Sequence, residues 1–266
     1  MNGQARSRIR PAAVTLDFGN TLVPIGRDAL ERVVERTATA VVAKSGPFGR
    51  DAFLAAWREE RQRQFAEEVP AGREVDVEQR VVRVLARMRG TPPPGPTERW
   101  DDAAAATLSS PDERAAAVDA YSAAFVVEVV PPRDVGPILA ELAQRFPLAV
   151  LSNWPLAATI DRFVEAAGWG GYFRAIVVSQ RVGSIKPSPA IFAVAADALG
   201  TPGERILHVG DDWTADVVGA KRAGWLAAYL RDSQGDSPLP SSAPDDSVRP
   251  DLEIDRLAEL LEVLAG

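Results

Sequence analysis

The chain has 266 residues, 46% of them hydrophobic and 25% charged, with a net charge of −7, long enough for one large domain or two modest ones. Lack of cysteine excludes disulfides, thiolate metal sites and thiol catalysis, and the single histidine, His208, excludes a multi-histidine zinc centre and argues against a Ser–His triad. The acidic balance argues against duplex nucleic acid as a partner, which needs a dominant basic face.

Met1 to Arg10 is polar and basic and does not read as a secretory signal. Residues 13–17 form a short apolar run that reads as a buried strand, with Asp17 at its carboxyl end and a tight turn, Phe18-Gly19-Asn20-Thr21, after it. Residues 28–44, 50–68 and 75–89 read as helices; in the third, Val77, Val81, Leu85 and Met88 recur at helical spacing. Asp51 and Asp76 sit where N-terminal carboxylates favour the helix dipole. Thr91-Pro92-Pro93-Pro94-Gly95-Pro96 reads as a loop, 97–108 and 111–127 as further helices, and Pro131-Pro132 closes the helical block.

Beyond it, helices alternate with apolar runs. Helix 134–146 leads to strand 148–151, helix 155–167 to strand 175–178, helix 188–199 to strand 206–209, and helix 214–223 to strand 226–230. This alternation predicts an α/β fold, a doubly wound parallel sheet covered on both faces. Residues 232–250 read as a mobile surface loop and 252–264 as a last helix. The expected division is an α/β core of 1–25 and 131–266 with an all-helical cap, 26–130, inserted after the first strand. No run approaches the about 20 apolar residues of a membrane span. The expectation is therefore a soluble cytoplasmic protein with no nucleic-acid or membrane partner.

Four expected strand ends deliver polar groups. They are Asp17 with Asn20 and Thr21; Ser152-Asn153; Lys186-Pro187; and Gly210-Asp211-Asp212, with Asp216 on the next helix. In open α/β sheets ligands bind at the carboxyl ends of the strands. A nucleophilic carboxylate, a hydroxyl, a lysine and an acidic cluster suit phosphoryl transfer: the hydroxyl, amides and lysine can hold a phosphate and the acids can hold Mg²⁺.

These residues resemble, in order, the four motifs of the haloacid dehalogenase (HAD)-like hydrolase superfamily, in the subgroup with a helical cap inserted after the first core strand. The resemblance covers about 13–25 and 134–230 and implies a Rossmann-like core. It implies that Asp17 is the nucleophile and that Lys186 neutralises charge on nucleophile and substrate. Thr21 and Ser152 would bind the phosphoryl group, with Asn153 nearby. Asp17, Asp211 and the backbone carbonyl of Gly19 would ligate Mg²⁺, and Asp212 and Asp216 would support the site. The expected activity is Mg²⁺-dependent hydrolysis of a small phosphorylated metabolite through an aspartyl-phosphate.

The chain departs from that pattern at Gly19, where HAD phosphatases carry a second aspartate that protonates the leaving oxygen and then activates water. Glycine keeps the carbonyl and loses the acid/base, worth roughly 10²–10⁴-fold. Aryl and acyl phosphates should suffer least. Two other readings fit such a gap: a metal-independent 2-haloacid dehalogenase, since halide leaves without protonation, and a degenerate HAD fold used for binding or regulation. His208, inside a strand, reads as structural. The arginines Arg58, Arg61, Arg63, Arg80, Arg83 and Arg87 read as partners of glutamates on solvated faces, with selection of an anionic substrate as the alternative.

Overall fold

The computed structural model describes residues 9–231 and 235–265. The basic N-terminal stretch up to Ser7-Arg8 and residues 232–234 of the expected loop lie outside them. The first strand, β1 (Ala13–Leu16), is wholly buried and is followed only by helices up to Pro131: α1 (Arg27–Ser45), α2 (Arg50–Glu68), α3 (Val77–Met88), α4 (Asp102–Ala106) and α5 (Pro111–Glu128). Local chemistry sets their starts. Asp76 caps α3 by accepting from the Glu78 and Gln79 amides. Ser110 and Glu113 form a reciprocal capping box at α5, with Pro111 in the first turn. The helix expected over 97–108 is shorter, because Asp101 caps it by accepting from Ala104 N at 2.9 Å. The residues before the cap stay non-helical, with the Trp100 indole donating to Glu60 at 2.9 Å.

The chain then alternates: α6 (Val135–Arg145), β2 (Leu148–Ser152), α7 (Ala157–Ala166), β3 (Phe173–Val178), a short α8 (Ser179–Val182), α9 (Pro189–Leu199) and β4 (Ile206–Gly210). A π-helical turn, Trp213–Val218, runs into α10 (Gly219–Arg222), then β5 (Leu226–Leu230), β6 (Leu252–Ile254) and α11 (Glu259–Val263). All sheet pairings are parallel and the order is β3-β2-β1-β4-β5-β6. β1 is central, and the order reverses between β1 and β4, the position at which open α/β sheets form their ligand crevice. Alternate strand residues feed the two faces: Val14, Leu16, Val150 and Val209 join one apolar cluster, and Ala13, Ala149, Leu151 and Ile206 the other.

Two expectations fail. The helix read over 252–264 is a strand followed by a short helix. Leu252 and Ile254 are buried while Glu253 is exposed, a two-residue period that pairs with the edge of β5. The segment after 235 is not simply a free surface loop. Ser242 donates to Asp212 Oδ1 at 2.7 Å and accepts from Thr214 N at 2.7 Å, and Asp245 accepts from the Trp213 indole at 3.0 Å. These bonds pin the segment across the end of β4. No helix among the described residues is long and apolar enough to cross a membrane.

Candidate active site

Asp17 follows β1, and the turn after it is held by backbone bonds from Leu22 N and Val23 N to Phe18 O at 3.0 Å each. Asn20 takes a left-handed conformation (φ 58°), which asparagine tolerates better than most residues, and its Oδ1 accepts from Ile25 N at 3.2 Å. Phe18 anchors the turn from below, edge-on to Phe163 and Trp154 at centroid distances of 5.2 and 5.7 Å. Gly210 ends β4 as glycine because a Cβ there would lie 2.2 Å from the Asp216 carboxyl.

Lys186 lies at the centre. Its Nζ donates to Asp17 Oδ1 at 2.8 Å, Asp216 Oδ1 at 2.6 Å and Leu151 O at 2.9 Å, which uses all three protons. Burial works against its charge, yet Asp17 and Asp216 outweigh burial and hold its pKa above the ordinary lysine value. Asp216 is the converse: burial works to raise its pKa, but Lys186 and His208 together carry it well below the ordinary carboxylate range. Burial pushes the Asp17 carboxyl up, with Lys186 opposing.

His208 contacts Asp216 Oδ1 through Nε2 at 3.0 Å and Thr15 Oγ1 through Nδ1 at 2.9 Å. Burial lowers its pKa, and an ionised Asp216 can only accept, so Nε2 carries the proton and Nδ1 accepts the Thr15 hydroxyl. The ring is closed off behind the site, in line with a structural role.

Asp17, Asp211 and Asp216 each offer a carboxylate oxygen within 4.8 Å of the others. Three buried carboxyl groups, two of them sharing the Lys186 ammonium, form a hard-oxygen donor set with excess negative charge, the chemistry that suits Mg²⁺. A cavity of about 690 Å³ opens above them, walled by Asp17, Gly19, Ser152 and Asp211 on one side and by the helical insert on the other.

A model of the haloacid dehalogenase-like hydrolases matches residues 11–224. The chain belongs to that family. It is 35% identical over 151 residues to a glyceraldehyde 3-phosphate phosphatase of Methanopyrus kandleri, covering 56% of this chain and 63% of that protein. It is also 35% identical over 133 residues to a 5-amino-6-(5-phospho-D-ribitylamino)uracil phosphatase of Escherichia coli, covering 50% of this chain and 52% of that one. The matches thus span about half to two thirds of these curated relatives. Among solved structures, a 2-haloacid dehalogenase of Pseudomonas syringae pv. Tomato superposes with a TM-score of 0.64 at 24% identity, covering 97% of this chain and 98% of that one. At that identity the likeness concerns the fold.

Within this HAD-family chain, Asp17, Gly19, Ser152, Asn153, Lys186, Asp211, Asp212 and Asp216 all line the one cavity. Three side chains are engaged in ways the sequence did not disclose. Thr21 donates its hydroxyl to Asp211 Oδ1 at 2.9 Å and so positions that carboxylate. Asn153 uses both ends of its amide on the Lys186 main chain, at 2.8 and 3.0 Å. Asp212 caps the π-helical turn through Ala215 N at 2.6 Å and holds Ser242.

The arginines divide. Arg83 pairs with Asp102 at 2.7 Å and Arg87 with Glu60 at 3.0 Å, but Arg80 and Arg83 are only 3% exposed rather than on solvated faces. Arg61 and Arg80 line the cavity, as do Trp154 and Leu239. Leu239 was legible only as a lone large apolar residue between two prolines in a Ser/Pro/Asp-rich stretch.

Proposed function

We propose that this HAD hydrolase is an Mg²⁺-dependent phosphatase of small phosphorylated molecules, with impaired or leaving-group-selective turnover. The observation that carries the reading is the Asp17–Lys186–Asp216 constellation beside Asp211, with Ser152 in the same cavity. The phosphatase names of the relatives support it. Asp17, Asp211 and the Gly19 carbonyl would hold Mg²⁺, which when bound offsets charge between carboxylates and phosphate. We also assign the helical insert, 26–130, as the cap.

In the first step an Asp17 carboxylate oxygen forms a bond to phosphorus while the bond from phosphorus to the leaving oxygen breaks, giving an aspartyl-phosphate. Lys186 opposes the upward push of burial on Asp17 and orients its carboxylate, because all three Nζ protons are already placed. Ser152 and the backbone after it supply donors to the phosphoryl oxygens. No carboxylate stands at position 19 to protonate the leaving oxygen, so alkoxide must take its proton from water. The aryloxide of an aryl phosphate and the carboxylate of an acyl phosphate depart without that help. In the second step the oxygen of water bonds to phosphorus while the bond from phosphorus to the Asp17 oxygen breaks, releasing phosphate and the free carboxylate. The water's proton goes to solvent, with no carboxylate at position 19 to take it, so the phosphoenzyme should persist.

The test is phosphate release from aryl, acyl and alkyl phosphates with and without Mg²⁺. We expect Mg²⁺-dependent release in the order acyl and aryl over alkyl, abolished by Asp17→Asn. Chloride release from 2-chloropropionate that ignores EDTA would overturn the reading in favour of a dehalogenase, and turnover that survives Asp17→Asn would remove the nucleophile.

A further inference from the structure

Two residues that line the cavity, one on the insert and one on the core side, each carry a donor with no partner among the described residues. Arg80, on α3, is 3% exposed, yet its Nη2 makes no hydrogen bond to any of them. The Trp154 indole nitrogen, 3% exposed as a residue, is likewise unpartnered among them. Both residues line the cavity that holds Asp17. A buried donor without an acceptor is costly: burial lowers the Arg80 pKa, and the nearby Asp76 and Glu74 offset this only in part, without bonding to Nη2.

The contrast with the rest of the insert is informative. Arg63 pairs with Glu67 at 3.7 Å, Arg83 with Asp102 at 2.7 Å and Arg87 with Glu60 at 3.0 Å. Arg61 and Arg80, which line the cavity, make no ion pair of this kind among the described residues; they rest on aromatic rings, Arg61 over Phe65 at 4.7 Å and Arg80 over Trp57 at 5.2 Å. Arg80 is nevertheless held in place. Its Nε donates to Gln64 Oε1 at 2.9 Å, and Gln64 is fixed in turn by donating to Asp76 O at 2.8 Å. One guanidinium edge is therefore anchored while Nη2 is left with nothing. Glu74 is the insert's carboxylate in this cavity, and it accepts from Ser179 Oγ at 2.6 Å and its own neighbour's amide rather than from Arg80.

We propose that Arg80 Nη2 and Trp154 Nε1 form a subsite for a second oxyanion of the substrate, with Arg61 adding positive charge. The preferred substrates are then small phosphate esters that also carry a carboxylate or a second phosphate. This rests on the phosphatase reading only for placing the reacting phosphate at Asp17. Arg80 is a specificity-determining residue here and takes no part in bond breaking.

The test uses three para-substituted phenyl phosphates that differ at the remote group: carboxylate, neutral carboxamide and second phosphate. Binding is measured by calorimetry with Mg²⁺ on the Asp17→Asn chain, and kcat/KM on the wild type. We expect the carboxylate or the bisphosphate to bind about 10- to 100-fold more tightly than the amide, as a charge-assisted bond in a buried site implies. Whichever is tighter names the oxyanion. Arg80→Met should bring the anion-to-amide binding ratio to near one and Arg80→Lys should restore part of it. If Arg80→Met does not fold, Arg61→Met should still lower the ratio. Equal affinity for all three probes, or binding of none, overturns the subsite. An anion preference in binding without turnover by the wild type leaves the subsite standing and rejects the phosphatase reading. Turnover without anion preference does the reverse.

Discussion

Restoring an aspartate at position 19 tests the missing acid/base directly, and the structure sets terms the sequence could not. The Gly19 backbone is not left-handed, so it accepts an L side chain. A Cβ there would meet Leu239 Cδ1 at 2.7 Å, Trp154 Cζ3 at 3.5 Å and Ile25 Cγ1 at 3.8 Å. Carbon contacts settle at about 3.5–4.0 Å, so only the Leu239 methyl must retreat, by about 1 Å. That methyl is the flexible end of a side chain, and pushing it off its rotamer costs about 0.5–1.5 kcal/mol. Positioned proton transfer is worth about 3–5 kcal/mol of barrier. The gain should win. We expect Gly19→Asp to raise kcat/KM for an alkyl phosphate about 10- to 1000-fold, with a smaller rise for an aryl phosphate. Gly19→Asp with Leu239→Ala should exceed the single substitution, because the clash is gone. The assay is phosphate release with saturating Mg²⁺, beside Leu239→Ala alone. If both chains carrying Gly19→Asp stay folded and bind Mg²⁺ yet gain nothing on the alkyl phosphate, the missing-acid argument is wrong.

Replacing Lys186 by Met leaves Asp17 and Asp216 facing each other without their shared cation; turnover should vanish and urea denaturation should show a loss of about 3–5 kcal/mol, and an unchanged midpoint would refute this. His208 has its pKa lowered by burial, so as pH falls below 6.5 the unfolded chain takes up a proton before the folded one does. Its contribution to stability is thus full above that pH and is lost towards the lower folded pKa, by at most about 1.4 kcal/mol per pH unit. Denaturation from about pH 5 to 7 should show a smaller slope in His208→Gln than in the wild type; equal slopes would reject the assignment. Ser110→Ala should cost about 1 kcal/mol by opening the capping box of α5, read as a shift in the urea midpoint against Ser110→Thr, which should lose less.

Much of the fold was legible because the strands read as short apolar runs, wholly buried in β1, β2 and β4 and partly so in β3 and β5. The runs at 13–17, 148–151, 175–178, 206–209 and 226–230 each became a strand of the parallel sheet. β6 was missed because Ile254 continues a helical stripe through Leu257, Leu261 and Leu264, while Leu252 and Ile254 also fit a two-residue alternation that the free edge of β5 selected. The site residues were legible for a related reason. A polar residue directly after an apolar strand must lie at the sheet's carboxyl edge, so Asp17, Ser152 and Asp211 had to converge once the strand order was right.

By itself, then, the sequence determined which polar groups stand at the sheet edge and the glycine among them. Spacing along a strand carries that information locally. Only the tertiary structure decided that Thr21 serves Asp211, that Asn153 clamps the Lys186 backbone, and that Leu239 packs against the point where a side chain at position 19 would begin. It also decided which arginines are paired and which face the cavity, because partners such as Arg83 and Asp102 or Arg80 and Gln64 lie 19 and 16 residues apart. Separations of that size on different helices are set by how the helices pack, and no local pattern encodes them.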